Sequence, residues 1–264
     1  TSKVYRGGCA QWMRTGSGVL HEEFWETRDD RRTNIELFQL WINLPAKQKF
    51  DTPAIKYIGK ETDFPWEEQN IYDPTAIGNN NNRIVVGKVR NIGATLNKAI
   101  QESGGVIKER TSLQILHATL NPGARWIVPD AKNGKSSAVL YVRKGVASFD
   151  DDSNSVAATY SSAQTVDEVQ VTTTAKARQS VTFAPDKSEL IAISNCQKDK
   201  VLDILLLIDE PLNEPVAQSG PIVMNTPYEL NDAYRQLSDG TFLDRDRVLH
   251  QQARTSKFQR QQVL

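Results

Sequence analysis

The sequence is poor in the residues from which many metal and catalytic sites are built. Its 264 residues include two cysteines and three histidines. Two cysteines are too few for a disulfide scaffold or a cysteine zinc site, and they favour a reducing compartment. Lysine plus arginine and aspartate plus glutamate each total 32, so the net charge is zero. No overall field therefore draws the chain to nucleic acid, and we expect no direct nucleic-acid binding.

Long apolar runs are lacking as well. The longest candidate, VLDILLLI at 201–208, is far short of the roughly 20 residues of a membrane span, so we expect a buried strand there and no transmembrane segment. The chain starts at Thr1 without an initiator methionine or a signal-peptide pattern. Either the chain is processed or its natural start lies upstream. We expect an intracellular protein, cytoplasmic or nuclear, with an organelle as an open alternative.

What the sequence does contain is a series of short runs rich in β-branched and aromatic residues, separated by polar turn residues. Many short strands with polar turns predict an all-β sandwich or barrel. The predicted strands are 35–44, 83–89, 113–120, 138–145, 168–173, 189–194 and 201–208.

Helical patterns occur in two places, 94–105 and 225–240. In the second, Thr226 can cap the helix, Glu229 completes a capping box and Gly240 ends the pattern. The apolar residues of this helix recur at helical spacing and predict a stripe packed against a barrel surface: Leu230, Ala233, Tyr234 and Leu237.

The polar stretch 72–83 predicts a domain boundary. We assign 1–78 to a first, short block, 79–220 to a second block with most of the strands, and 221–264 to the C-terminal helix with a basic tail.

The stretch GSGVLHEEFWE at 16–26 combines two glycines, a histidine and carboxylates. Its glycines are spaced as in a dinucleotide fingerprint, but His21 stands at the third position and no strand–turn–helix context follows. HEEFW begins like a zinc-protease helix and lacks the second histidine. Both of these interpretations are therefore excluded.

In an extended strand, His21 and Glu23 would share one face while Glu22 points the other way. An imidazole and a carboxylate converging inside a barrel make half of an iron site; the alternative is that two polar residues share a rim. We predict a strand over 16–26 with His21 and Glu23 turned inward. Gly16 and Gly18 would provide a close backbone approach.

The other two histidines carry weaker patterns. His117 shares a predicted strand face with Leu113 and Ile115, which favours a hydrogen-bonded histidine on a strand face. His250 lies in the basic tail and is expected to be solvated.

Four stretches of the chain together resemble one family. GGCAQWMRTGSGVLHEE (7–23), FQLWINLPAKQKF (38–50), the NPGA turn (121–124) and GPIVMNTPYEL (220–230) are similar to pirins, which are bicupin proteins of the cupin superfamily. The resemblance implies an all-β fold of two cupin (jelly-roll β-barrel) domains, the first incomplete in this chain, plus the C-terminal α-helix.

The resemblance also implies a metal, usually iron, in the N-terminal barrel, bound by a His-x-His pair on earlier strands and by the H-x-E pair. Here His21 and Glu23 carry over as metal ligands, and Glu23 is also the candidate catalytic general base. The His-x-His pair would lie upstream of Thr1, so iron is expected only if that pair is present. Residues 83–218 are expected to form a complete barrel without a metal.

Two functions follow as hypotheses. The first is a pirin-like, iron-binding cupin protein, either a quercetin-type dioxygenase acting on a small aromatic substrate or a redox-responsive regulatory partner. The second is a non-catalytic scaffold or subunit of a larger assembly with an incomplete metal site. Half a barrel leaves strand edges and apolar faces open, so we expect a longer chain or a protein partner to cover them.

Overall fold

Strands make up most of the regular structure in the computed structural model of the protein. The structure describes residues 4–24, 27, 29–58, 65–71, 84–93, 113–128, 136–149, 157–159, 169–171, 174–183 and 191–243. The predicted helix at 94–105, His250 and the basic tail beyond 243 lie outside these residues.

The elements follow in chain order. The strands are β1 (Ala10–Arg14), β2 (Ala54–Ile58), β3 (Glu67–Ile71), β4 (Ile84–Asn91), β5 (Gln114–Leu120), β6 (Arg125–Ile127), β7 (Ser137–Lys144), β8 (Val146–Phe149), β9 (Ala157–Thr159), β10 (Val169–Val171), β11 (Thr174–Lys176), β12 (Ser180–Phe183), β13 (Ala192–Asn195), β14 (Leu202–Asp209), β15 (Ala217–Ser219) and β16 (Ile222–Met224). A short 3-10 helix covers Ala46–Gln48, and the helix α1 covers Pro227–Asp239.

Two antiparallel sheets enclose a common apolar core. One has six strands in the order β12-β7-β14-β5-β4-β3, and the other has four in the order β11-β8-β13-β6. Alternate residues of the central strands, such as Leu120 of β5 and Leu206 of β14, are fully buried together with Trp126 of β6. Burying each such aliphatic side chain stabilises the fold by roughly 1.5–3 kcal/mol.

The strand β14 shows how register determines which side chains meet. It pairs with β5 on one side and β7 on the other, and Ile204 and Leu206 face the core. Asp203 and Leu205, which alternate with these core residues along the strand, therefore lie on the opposite face of the six-stranded sheet. The pairing with β7 shifts between Asp203 and Ile204, so Arg143 is the extra residue of a β-bulge.

The chain divides into two compact units, each built from two separate stretches. Unit one contains 1–10 and 57–211, and unit two contains 11–56 and 212–264. Each unit therefore combines an early stretch of the chain with a later one, whereas the predicted domains are continuous stretches with boundaries at 78 and 220. The boundary stretch 72–83 lies outside the described residues, so those domain limits stay a prediction.

Most of the predicted strands are present, as β4, β5, β7, β10, β13 and β14. The strand predicted at 35–44 is wrong: the segment has no regular structure, and Leu37 and Trp41 are 54% and 58% exposed. β-propensity measures how well a side chain fits a paired, half-buried surface, whereas residues 35–41 are exposed and residues 35–44 belong to none of the strands in the described part of the chain.

The predicted C-terminal helix is confirmed with both of its ends. Thr226 Oγ1 accepts a hydrogen bond from Glu229 N at 3.2 Å, and Glu229 Oε2 accepts one from Thr226 N at 2.9 Å. Gly240 ends the helix in the left-handed conformation with φ of 76°. Within the described ranges, no helix is both long enough and apolar enough to cross a membrane.

The predicted packing face of α1 is only partly right. Ala233 is buried and Leu230 is half-buried, whereas Tyr234 and Leu237 are each 37% exposed. The second buried residue is Gln236, whose Nε2 donates to Asp232 Oδ2 at 2.6 Å. The buried side is therefore rotated towards Gln236, because hydrogen bonding within the helix lets a polar residue occupy the covered position.

Candidate functional site

His21 and Glu23 lie in a segment without regular structure that follows β1. The strand predicted over 16–26 is wrong, because residues 15–24 after β1 contain a turn and then irregular chain. His21, Glu22 and Glu23 are all exposed, so the inward and outward faces expected from a two-residue period do not exist here. Trp25 and Glu26 lie outside the described residues.

The two glycines explain why a turn replaces the strand. Gly16 has φ of 49° and Gly18 has φ of 134°, which favour glycine over any L side chain. Ser17 N donates to Asp51 O at 2.9 Å, and a Cβ on Gly16 would lie 2.0 Å from the same oxygen. A Cβ on Gly18 would lie 2.7 Å from Phe242 Cε1. The predicted close approach at these glycines is confirmed.

Arg14 holds the chain at the end of β1, just before this turn. Its Nε donates to Thr52 O at 3.1 Å, and its Nη1 lies 3.9 Å from Asp51 Oδ2. Through these two contacts Arg14 ties the turn to residues 51–52.

The donors of this segment fit a metal ion in type but not in number. A stable site for a first-row metal takes three or more protein ligands, and His21 with Glu23 supplies two. Among the residues that the structure describes, no group of three or more His, Cys, Asp or Glu side chains could hold a metal ion. The two side chains do not make a metal site by themselves, and their role as ligands stays a prediction.

A second group of polar residues lies in unit one, on the face of the six-stranded sheet opposite the core. His117 of β5 is 8% exposed. Its Nδ1 accepts a hydrogen bond from Arg90 Nε at 3.0 Å, and its Nε2 lies 2.9 Å from Asp203 Oδ1. Arg143 Nη1 lies 2.8 Å and 2.7 Å from the two oxygens of Asp203. Four strands, β4, β5, β7 and β14, thus meet in one network.

The hydrogen bonds fix the tautomer of His117. Because Arg90 Nε can only donate, Nδ1 of His117 must be the acceptor and carries no proton. Nε2 then carries the proton and donates to Asp203, and Arg143 Nη1, which lies 3.0 Å from the same nitrogen, donates to Asp203 rather than to the ring. With both ring nitrogens occupied, His117 cannot act as a base or a metal ligand in this arrangement. The prediction of a hydrogen-bonded histidine on a strand face is confirmed.

The electrostatics of this network centre on Asp203. Burial is the largest influence on its carboxyl and acts to raise the pKa, but the hydrogen bond from His117 and the charge of Arg143 together hold the pKa below its usual value. The Trp66 ring covers the network, with its centroid 4.9 Å from that of His117 and 4.5 Å from the Arg90 guanidinium carbon. This guanidinium lies at cation–π distance.

The network was missed by the sequence analysis because its partners are distant along the chain. Asp203 stands 86 positions after His117, and only the pairing of β14 with β5 brings the two together. One feature of the sequence could have indicated it. Asp203 interrupts the apolar run VLDILLLI, where a carboxylate needs a buried partner.

A third polar cluster joins the two stretches of unit two. Lys49 is 7% exposed, and its Nζ donates to Asn43 Oδ1 at 2.6 Å and to Val223 O at 3.4 Å. Burial lowers the pKa of Lys49, against the opposing charges of Glu214 and Glu229. Glu214 Oε2 also accepts a hydrogen bond from Ala46 N at 2.7 Å. These contacts attach the chain before α1 to the 3-10 helix.

Comparisons with known proteins agree with this architecture. Residues 115–243 match the model of the pirin C-terminal cupin domain. Pirin-1 of Arabidopsis thaliana is 28% identical over 231 residues, which cover 87% of this chain and 64% of that protein. A Thermoplasma acidophilum protein whose name proposes a quercetin 2,3-dioxygenase activity is 26% identical over 257 residues, 92% of this chain and 83% of that protein.

The crystal structure of quercetin 2,3-dioxygenase from Acinetobacter baumannii is similar in fold. Its TM-score is 0.55 at 20% identity, over 90% of this chain and 68% of that one. At this identity the likeness bears on the fold alone, and it supports the cupin jelly-roll architecture. The chain spans slightly less than two thirds of the length of Pirin-1.

Proposed function

We propose that this chain, whose residues 115–243 match the model of the pirin C-terminal cupin domain, serves as a metal-dependent cupin protein that oxidises a small aromatic compound, as a dioxygenase of the quercetin type. His21 and Glu23 would supply two of the metal ligands, with Glu23 also the candidate general base. Further donors would have to complete the set, since these two do not hold a metal by themselves. The resemblance to pirins makes iron the expected metal.

One observation carries the proposal. His21 and Glu23 stand two residues apart and exposed, directly after a turn that is held by Asp51 and Phe242. An imidazole and a carboxylate that are accessible and attached to a fixed turn can join other donors around one ion. The name of the relative from Thermoplasma acidophilum supports the choice of a quercetin-type substrate.

Metal analysis tests the proposal. The purified protein is loaded with ferrous iron, desalted and measured for bound iron, beside His21→Ala, Glu23→Ala and the matched control Glu22→Ala. We expect the first two variants to lose about tenfold or more in iron affinity, while the control binds as the parent does. Quercetin consumption under oxygen should follow the same order. Equal iron binding by all four proteins would contradict the assignment of these ligands.

A second candidate is a non-catalytic scaffold that binds a protein partner. The specific observation in its favour is that large apolar side chains of unit two are exposed, among them Phe24 at 84%, Leu37 at 54% and Trp41 at 58%. Exposed apolar surface of this kind is typical of interaction sites. A protein that binds neither iron nor quercetin, yet forms a stoichiometric complex lost in Trp41→Ser, would favour this candidate.

A further inference from the structure

We propose that Phe242, which follows helix α1, is a positioning residue for the His21–Glu23 segment. A Cβ on Gly18 would lie 2.7 Å from Phe242 Cε1 and 3.0 Å from Phe242 Cζ, so the aromatic ring lies directly against the backbone of this glycine. Gly18 stands three residues before His21. The ring therefore sets the direction in which the chain leaves the turn towards His21 and Glu23. That these two residues bind a metal rests on the function proposed above.

The other side of the turn is held by the chain after the 3-10 helix. Ser17 N donates to Asp51 O at 2.9 Å, and Gly18 N donates to Thr15 O at 2.9 Å. The turn thus lies between a backbone carbonyl on one side and the Phe242 ring on the other. Neither side leaves room for a Cβ at Gly16 or Gly18. The glycine spacing that resembles a dinucleotide fingerprint is explained by these two contacts.

Phe242 can position the turn because the end of α1 is itself fixed. Gly240 adopts the left-handed conformation, and Thr241 N donates to Gln236 O at 2.9 Å. The hydroxyl of Tyr234 donates to Ser219 O at 2.7 Å, which attaches α1 to the hairpin of β15 and β16.

The hairpin is in turn attached to the 3-10 helix region. Lys49 Nζ donates to Val223 O at 3.4 Å, and Asn225 Nδ2 donates at 3.0 Å to Glu214 Oε2, the oxygen that also accepts from Ala46 N. A continuous set of contacts therefore runs from the 3-10 helix through the hairpin and α1 to Phe242. The C-terminal stretch of unit two is in this way part of the support of the turn near its N-terminal end.

Amide hydrogen exchange tests the positioning directly and needs no metal. Ser17 N donates to Asp51 O and Gly18 N donates to Thr15 O, so the two amides report on the opening of the turn. We expect Phe242→Ala to speed their exchange by about tenfold or more, because the ring no longer closes the turn. The conservative variant Phe242→Leu should keep most of the protection. Leu243→Ala is the matched control, since this neighbouring side chain is 51% exposed.

A glycine substitution examines the same contact from the other side. Gly18→Ala should open the turn through both backbone strain and the clash with Phe242. Gly123→Ala is the control for strain alone, because Gly123 also has a positive φ, 71°, with nothing within 4 Å of its Cβ position. In the double variant, the fold-increase in the exchange rate should be smaller than the product of the increases in Gly18→Ala and Phe242→Ala, because the two changes break one contact.

The outcomes separate this proposal from the proposed function. Unchanged exchange at Ser17 and Gly18 in Phe242→Ala, relative to Leu243→Ala, would overturn the positioning role. Cobalt titration, followed by the visible absorption of the bound ion, then reports on the ligands. We expect Phe242→Ala to weaken cobalt binding by about tenfold and Phe242→Leu to restore it. If the parent protein binds no cobalt, the proposed metal site fails while the exchange result still decides the role of Phe242.

Discussion

His117 and His21 show two opposite ways in which this chain uses a histidine. The first is 8% exposed on a central strand, with its two ring nitrogens hydrogen-bonded to Arg90 and Asp203. The second is exposed in an irregular segment after a turn. A buried imidazole whose bonds are all satisfied stabilises one packing of the strands, whereas an exposed one next to a carboxylate is available for binding. His117, which has more hydrogen bonds, is thus less available to react than His21.

The same contrast explains why a hydrogen-bonded network is poor grounds for assigning catalysis. The Asp203–His117 pair has the residue types of a catalytic dyad. In such a dyad one ring nitrogen has to face the substrate, but here Arg90 occupies the second nitrogen. What remains is a structural role: the network joins four strands of the six-stranded sheet on the face away from the core.

The largest effect on stability should come from Asp203→Ala. Removing this carboxylate leaves Arg143 without the two oxygens it contacts at 2.8 Å and 2.7 Å, in a place where its side chain is 15% exposed. Breaking one partner of a largely buried ion pair costs about 3 kcal/mol or more. Urea unfolding measures the loss. Asp199→Ala, which removes an exposed carboxylate, should change the free energy of unfolding by less than about 0.5 kcal/mol.

If Asp203→Ala and Asp199→Ala were equally stable, the network would not be the structural support that its geometry indicates. The comparison with His21 would then lose its basis.

The pH dependence of stability should also single out Asp203. Its pKa is lower in the folded protein than the ordinary value of 3.8. The ionised carboxylate therefore favours the folded state at all pH values above 3.8, and this stabilisation is lost as the pH falls through the folded-state pKa. We expect the free energy of unfolding to drop below about pH 4, and less steeply in Asp203→Asn. An identical acid profile for the parent and Asp203→Asn would contradict the assignment.

How well each region could be predicted from the sequence depends on how far apart its interacting residues are along the chain. The ends of α1 depend on residues within four positions, such as Thr226 with Glu229, and these were predicted correctly. The central strands were predicted because a run of β-branched and aromatic residues between polar turn residues is a local pattern. The network around His117 depends on Asp203 and Arg90, which are 86 and 27 positions away, and no local pattern contains them.

The errors have a physical cause as well. Segment 35–44 has the composition of a strand, but a strand also requires a neighbour to pair with, and composition does not supply one. The segment 16–26 was predicted to be a strand because His21 and Glu23 stand two residues apart. That spacing places two side chains on one face only if the backbone is extended. The positive φ values of Gly16 and Gly18 exclude a continuous strand through them.

A smaller effect is expected at the start of α1. Thr226→Ala removes the acceptor of the Glu229 amide and leaves half of the capping box. Loss of such a cap costs about 1 kcal/mol. Ser238→Ala in the last turn of the same helix is the control, since Ser238 is exposed and alanine favours a helix. Urea unfolding monitored by circular dichroism distinguishes the two variants, and equal stability would show that the cap contributes nothing to unit two.

The smallest effect should be that of His21→Ala, and it completes the contrast with His117. The side chain of His21 is exposed and lies outside any strand, so its removal should change the free energy of unfolding by no more than about 0.5 kcal/mol. His117→Ala, measured beside it, should cost several times as much, because it removes the acceptor of the Arg90 Nε hydrogen bond and one of the hydrogen bonds that Asp203 accepts, in a covered place. Thermal and urea unfolding of the two variants give this ratio. A His21→Ala variant as destabilised as His117→Ala would mean that the segment after the turn is packed rather than available, and binding at His21 and Glu23 would then require the protein to open first.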